Sequence, residues 1–149
     1  MAALSAAMRA RDAATGRHSE RVVALSVALA RACGLPESEQ EAVAIAARLH
    51  DIGKIGTPDR VLYSPKRLDK DDWEIMKAHA ATGADIIMHS DIPQRDVIAR
   101  AVRHHHEHFD GSGYPAGLSG EDIPLHSRII SLADSYDALG SAPSPRTFR

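Results

Sequence analysis

The sequence lacks most of the features that mark secreted, membrane-spanning and nucleic-acid-binding proteins. Its single cysteine, Cys33, excludes an internal disulfide and a CxxC zinc site. The longest unbroken apolar run, residues 42–47, is far shorter than a membrane span needs. The N-terminus is a poor signal peptide because Arg9, Arg11 and Asp12 interrupt it. The net charge of −2 gives no basic field for a nucleic-acid polymer or a membrane surface. We therefore expect a cytoplasmic protein.

The remaining composition is that of an ordinary globular domain, with 44% apolar and 26% charged residues. A chain of 149 residues has the size of one domain and can bury roughly two-thirds of its unfolded surface. Apolar residues recur at helical spacing between glycine and proline breakers, and no segment shows the alternation of a strand. The sequence thus predicts one all-α domain over residues 1–149, with a loop at 109–125, an irregular tail at 140–149, and helices over 18–33, 36–50, 58–63, 70–89, from 93 into the histidines, and 126–139.

Histidine is the unusual residue of this chain, with nine copies, and one of them belongs to a His50-Asp51 pair at the end of an apolar helix. A charged aspartate there is costly unless something compensates it, and a metal ion is a strong compensator. Neighbouring helical residues diverge by roughly 100°, but a carboxylate has two oxygens and can bridge two ions. Lys54, three residues later, could neutralise an anionic substrate. The alternative is a plain helix C-terminus with a histidine near the negative end of the dipole.

The other long predicted helices each contribute a histidine or an aspartate, mostly beside apolar residues. Together with the His50-Asp51 pair they supply five histidines and two aspartates, a donor set that suits a pair of first-row metal ions: His18, His50, Asp51, His79, His105, His106 and Asp134. For His79 a surface position is the alternative, and for Asp134 an ordinary helix acid.

Several neighbouring polar residues are predicted to have lesser roles. Glu107 is expected to orient a metal-binding imidazole without binding the metal itself. Asp137 is expected to be exposed or structural, and His104 to lie on the surface. The remaining histidines have no other candidate ligand at a spacing that would bring it close, and they are expected to be solvated: His89, His108 and His126.

Three long stretches resemble one known family. They are LHDIGKIGTPD at 49–59, HHEHFDGSGYPAGLSGEDIPL at 105–125 and ADSYDAL at 133–139. Together with the histidines above, they are similar to the HD-GYP subgroup of the HD metal-dependent phosphohydrolases, over about residues 15–139. The resemblance implies an all-helical HD-superfamily bundle that hydrolyses cyclic di-GMP to pGpG or GMP at a centre of iron or manganese ions.

The resemblance also implies roles for individual residues. His18, His50, Asp51 and Asp134 would bind one metal ion, with Asp51 as the bridge and catalytic with Lys54. His79, His105 and His106 would bind the second ion, and Lys54 would contact the scissile phosphate. The loop of Gly113, Tyr114 and Pro115 would bind substrate and dock diguanylate cyclase (GGDEF) domains.

Three departures from the family pattern modify these expectations. Ala14 stands where members with a third metal have a glutamate, so we expect two divalent ions. The usual phosphate-binding arginines are matched by Arg146 and Arg149 only after a short shift. The family's further C-terminal helices have no counterpart before Arg149, so we expect a domain that lacks them.

The preferred hypothesis is a cyclic di-GMP phosphodiesterase in which hydroxide generated at a binuclear metal site attacks the phosphate. One alternative is a weakly active or inactive docking module for GGDEF proteins. Another is an HD phosphohydrolase acting on a different nucleotide, although HD enzymes at large lack the DGSGYP loop found at 110–115.

Overall fold

The computed structural model describes Leu4, Ala6 and residues 15–140, with the side chains of 15–17 excepted. Regular structure in these residues is entirely helical, which confirms the all-α prediction. Two 3₁₀ turns, Ile52–Gly56 and Gly120–Asp122, accompany seven α-helices: α1 Thr15–Ala32, α2 Glu37–Leu49, α3 Asp59–Leu62, α4 Lys70–Lys77, α5 His79–Met88, α6 Arg95–Arg103 and α7 Leu125–Gly140. None of these helices is long and apolar enough to cross a bilayer.

The core lies where α1, α2 and α7 pack together and α5 and α6 close the bundle from the other side. Each of the longer helices has apolar residues at intervals of three or four, so one face of each is buried against the others. The largest of the fully buried apolar side chains are Leu49, Ile52, Ile87, Ile98, Ile123 and Ile130. The start of the first 3₁₀ turn therefore belongs to the core, which fixes the position of the adjacent His50-Asp51 pair.

The predicted helix over 70–89 is in fact two helices, separated at Ala78. No glycine or proline marks this point in the sequence, so the pattern predicted no break. The 3₁₀ turn packs directly on the helix here, because a Cβ built on Gly53 would lie 1.9 Å from the His79 carbonyl oxygen. The break therefore coincides with a tertiary contact, and it puts His79 at the first residue of α5.

The helix before the histidine run ends earlier than predicted. Its last residue is Arg103, and the backbone of His104 has already left the helical conformation, with φ −108° and ψ 14°. His105 and His106 consequently lie on a turn and not at the end of a helix. The other predicted helices begin and end within three residues of their expected positions. The predicted tail lies almost wholly outside the described residues, as do Ala14, Arg146 and Arg149.

Candidate metal centre

Three buried histidines are held in the same way by the backbone. In His50, His79 and His105, the ring Nδ1 lies 2.7, 2.7 and 2.6 Å from the carbonyl oxygen three residues earlier in the chain. A carbonyl oxygen can only accept, so each Nδ1 must donate its hydrogen. Each Nε2 is then left with a lone pair, which is how a histidine is prepared to bind a metal.

The Nε2 atoms of two of these histidines meet a third imidazole. His79, His105 and His106 each offer a ligand atom, and these atoms all lie within 4.8 Å of one another. The Nε2 atoms of His79 and His106 are 3.2 Å apart. The Nε2 of His105 is buried and has no hydrogen-bond partner among the described residues. Since a buried polar atom without a partner is costly, this nitrogen fits a site that a metal ion completes.

A second group of donors lies beside the first. His18, His50 and Asp134 also offer ligand atoms within 4.8 Å of one another. The Nε2 of His18 is 3.0 Å from Asp134 Oδ1, and the Nε2 of His50 is 3.9 Å from the same oxygen. The ring of His105 lies between the groups, since its centroid is 5.3 Å from that of His50 and 5.5 Å from that of His79.

Asp51 connects the two groups. Its Oδ1 is 3.5 Å from His79 Nε2, in the first group, and its Oδ2 is 3.5 Å from His50 Nε2, in the second. The Lys54 ammonium group donates to Oδ2 at 2.7 Å. The 3₁₀ turn that follows Asp51 brings Lys54 back to the same side of the chain. The carboxylate thus has the position expected of a bridge between two ions.

The protonation states of Asp51 and of the first group of histidines favour cation binding. Burial alone would raise the pKa of Asp51, but Lys54, His50 and His79 outweigh it and hold this pKa well below its ordinary value. Burial lowers the pKa of His105 to about 3 and also lowers the pKa values of His79 and His106. These imidazoles are therefore neutral at pH 7, which is the form that binds metal.

The Gly-Tyr-Pro segment lies against the first group. The Tyr114 ring stacks on His106, with centroids 4.8 Å apart and an interplanar angle of 26°, and its other neighbours are the Trp73 ring and the Lys77 ammonium. Gly113 permits this approach, because a Cβ there would lie 2.2 Å from the His108 backbone nitrogen. The peptide bond between Tyr114 and Pro115 is cis. The segment thus forms one wall of the candidate centre.

Comparison with known families identifies the chain. The sequence profile of the HD domain family matches residues 3–148. The chain belongs to the HD domain family. The histidine and the aspartate after which the HD family is named correspond to His50 and Asp51 of the candidate centre.

Two similar proteins of this family come from Vibrio cholerae and Thermotoga maritima. The first, 3'3'-cGAMP-specific phosphodiesterase 2, is 42% identical over 95% of this chain and 27% of its own length. The second, a cyclic di-GMP phosphodiesterase, is 45% identical over 88% of this chain and 36% of its own length. These names agree with the resemblance to the HD-GYP subgroup, which is confirmed. The chain spans about a third of the length of these relatives.

Solved HD structures share the fold. An HDG"Y"P protein from Bdellovibrio bacteriovorus has a TM-score of 0.67 and 26% identity, over 82% of this chain and 40% of that one. The HD domain of PgpH from Listeria monocytogenes, solved with cyclic-di-AMP, has a TM-score of 0.67 over 95% of this chain and 74% of that one. At 23% identity the second likeness concerns the fold alone.

Two residues of this HD domain matter to the centre more than the sequence suggested. Asp137, expected to be exposed or structural, is only 6% exposed and accepts a hydrogen bond from His18 Nδ1 at 2.7 Å. Arg21 donates to the same carboxylate through Nε at 2.5 Å and through Nη2 at 2.9 Å. Asp137 follows Asp134 by three residues, and Arg21 follows His18 by three. That helical spacing is the signal that could have identified both.

Glu107 has a different role from the one expected. Its carboxylate accepts from the backbone N–H groups of Ala116 at 2.8 Å and Leu118 at 3.1 Å, and its further partner is His104 Nδ1 at 3.3 Å. The prediction that it holds a ligand imidazole is therefore wrong. Glu107 instead ties the Gly-Tyr-Pro segment to the turn that bears His105 and His106. Chain reversal at the glycines brings these groups together, and helical spacing gives no sign of it.

The remaining histidines of the HD domain lie away from the donor groups. His89 and His108 are exposed, as expected. His104 is not a surface residue, since 13% of its side chain is exposed beside Glu107. His126 is not fully solvated either, since its side chain is 16% exposed and lies 3.4 Å from the Glu39 carboxylate. His126 and Glu39 are far apart in the chain, so no local pattern relates them, whereas His104 and Glu107 are three residues apart, beyond the end of α6.

Proposed function

We propose that this HD domain is a phosphodiesterase that hydrolyses cyclic di-GMP to pGpG or GMP and uses two divalent ions, iron or manganese. The observation that supports it best is the pair of three-donor groups joined by Asp51. A donor set of imidazoles and carboxylates suits first-row divalent metals. When bound, such ions stabilise charge on phosphate oxygens and lower the pKa of water.

The chain's own residues would orient both metal and substrate. His50, His79 and His105 are held rigidly by the backbone, so their Nε2 atoms need no reorganisation to bind. Asp51 would hold the two ions at a fixed separation. The Lys54 side chain is 27% exposed, so its ammonium group lies at the open edge of the centre and would bind an anionic phosphate there.

The wall formed by Gly113 and Tyr114 would contact the substrate beside the first donor group. Burial raises the pKa of Tyr114, so its hydroxyl stays protonated at neutral pH and can donate to a phosphate oxygen or a base. The tie from Glu107 would keep this wall in place. Arg146 and Arg149, outside the described residues, remain predicted contributors of positive charge.

The substrate is tested by supplying purified protein with Mn²⁺ or Fe²⁺ and following cyclic di-GMP, 3'3'-cGAMP and a panel of other nucleotides by chromatography. We expect linear products from cyclic di-GMP. The comparison with 3'3'-cGAMP is needed because the names of similar proteins include both substrates. Intact cyclic dinucleotide in the presence of metal-loaded protein would refute the proposal, and preferential cleavage of another nucleotide would redirect it.

A Lys54→Met variant tests the role of the ammonium group. We expect it to bind metal and to lose roughly 100-fold or more in turnover, as for loss of one charge-stabilising donor. Lys70→Met is the matched control, because Lys70 is exposed on α4. Equal rates for the two variants would remove Lys54 from the mechanism.

A second candidate function, docking of a GGDEF domain, is favoured by Phe109. This side chain is 68% exposed and lies four residues before Gly113 in the same loop, where it could contact a protein partner. On this hypothesis Phe109→Ser abolishes capture of a purified GGDEF domain, whereas Asp51→Ala leaves capture intact. No capture by the wild-type protein would eliminate it.

A further inference from the structure

The histidines of the two donor groups are not all held in the same way. His50, His79 and His105 are fixed by backbone carbonyls, which no side-chain substitution removes. The Nδ1 of His18 instead bonds to the carboxylate of Asp137. The orientation of His18 therefore depends on a side chain, and a substitution can change it.

The carboxylate that holds His18 is itself fixed. Arg21 reaches Asp137 through two nitrogens, one to each oxygen, and this paired geometry restricts rotation of the carboxylate. The positive charge of Arg21, in direct contact with Asp137, favours the ionised carboxylate. An ionised acceptor at Nδ1 makes the opposite nitrogen of His18 a stronger metal ligand, and it fixes the ring so that this nitrogen lies 3.0 Å from Asp134 Oδ1.

We propose that Arg21 and Asp137 are a positioning pair that sets the metal affinity of the His18, His50 and Asp134 group separately from that of the other group. The inference rests on the proposed metal centre but does not depend on any substrate. It predicts a selective effect, since Asp137 bonds to a member of one donor group and lies on α7, away from the turn that bears His105 and His106.

The test measures Mn²⁺ bound per chain by equilibrium dialysis over a range of free Mn²⁺. We expect two binding steps for wild type, and Asp137→Asn should weaken one of them by 10- to 100-fold, the usual cost of losing a partner behind a metal ligand. His18→Ala should abolish the same step. The matched control is Asp72→Asn, because Asp72 pairs with Arg60 through a similar ion pair on the surface. It should bind Mn²⁺ like wild type.

A double variant shows whether Asp137 acts through His18. If it does, adding Asp137→Asn to His18→Ala causes no further loss of Mn²⁺ binding. Wild-type affinity at both steps in Asp137→Asn overturns the proposal. Equal weakening of both steps, or additive losses in the double variant, also overturns it by revealing a general structural role.

A variant of Arg21 keeps the test valid if Asp137→Asn does not fold. The Arg21 side chain is half exposed, so Arg21→Gln removes the charge with little disturbance of the core. It should weaken the same single step. If the wild-type protein binds metal but has no phosphodiesterase activity, the proposed function is refuted and this inference stands. If the protein is active but the Asp137 and Arg21 variants bind metal like wild type, this inference is refuted and the proposed function stands.

Discussion

Gly53 occupies a position at which the fold accepts no side chain, so Gly53→Ala should destabilise the protein. A Cβ at this residue would lie 1.9 Å from the carbonyl oxygen of His79 and 2.6 Å from the backbone nitrogen of Gly83. These are backbone atoms of α5 and cannot rotate away. The 3₁₀ turn must therefore move off the helix, taking with it the packing of Ile52 and the position of Lys54.

The size of the effect follows from the overlap. Adding a methyl group to a tightly packed interior usually costs 1–3 kcal/mol, and the 1.9 Å approach to a rigid atom places Gly53→Ala at or above the upper end, about 3 kcal/mol. For a chain of this size each kcal/mol lowers the melting temperature by about 2–4 °C, so we expect a fall of roughly 6–12 °C. Thermal unfolding followed by circular dichroism measures it.

Gly56→Ala provides a matched control in the same turn. A Cβ there would meet only the Thr82 methyl group, at an ordinary distance of 3.6 Å. The melting temperature of this variant should stay within about 2 °C of wild type, since surface changes usually stay within 0.5 kcal/mol. Equal melting temperatures for the two alanine variants would refute the claim that the turn and α5 meet backbone to backbone.

Three further results are expected. Free Mn²⁺ at about 100 times its dissociation constant should stabilise the fold by about 2.7 kcal/mol per site and so raise the melting temperature. The rise should be smaller in His105→Ala. An equal rise in this variant and in the wild type would place His105 outside the centre. Glu107→Gln should lower the free energy of unfolding, measured by chemical denaturation, by about 1–2 kcal/mol, because the charged acceptor of two backbone amides is lost. Hydrogen exchange at the Ala116 and Leu118 amides should become faster. Unchanged exchange would contradict the role of Glu107 in holding the Gly-Tyr-Pro segment. Ser26→Ala should raise the free energy of unfolding by about 1 kcal/mol, because the buried hydroxyl has no partner among the described residues; a loss of stability would imply a partner.

The sequence predicted the helices well because each one has an apolar stripe that only a helix can bury on one side. It failed at Ala78 and at His104, where helices end without a glycine or proline. Local periodicity contains no information about such ends. At Ala78 the end coincides with the contact between Gly53 and His79, two residues far apart in the chain.

The sequence by itself determined the fold class and the chemistry of the donors, because both depend on residue types at short spacings. The resemblance implied how the donors divide between two ions, but residue spacing alone did not. Only the tertiary structure gives the distances between them, since His18 and Asp134 are separated by more than a hundred residues yet lie 3.0 Å apart. The tertiary structure also showed that Glu107 accepts hydrogen bonds from the loop backbone, and that Asp137 accepts one from His18 Nδ1. Distances between side chains on different helices follow from how the helices pack, and no local pattern encodes that packing.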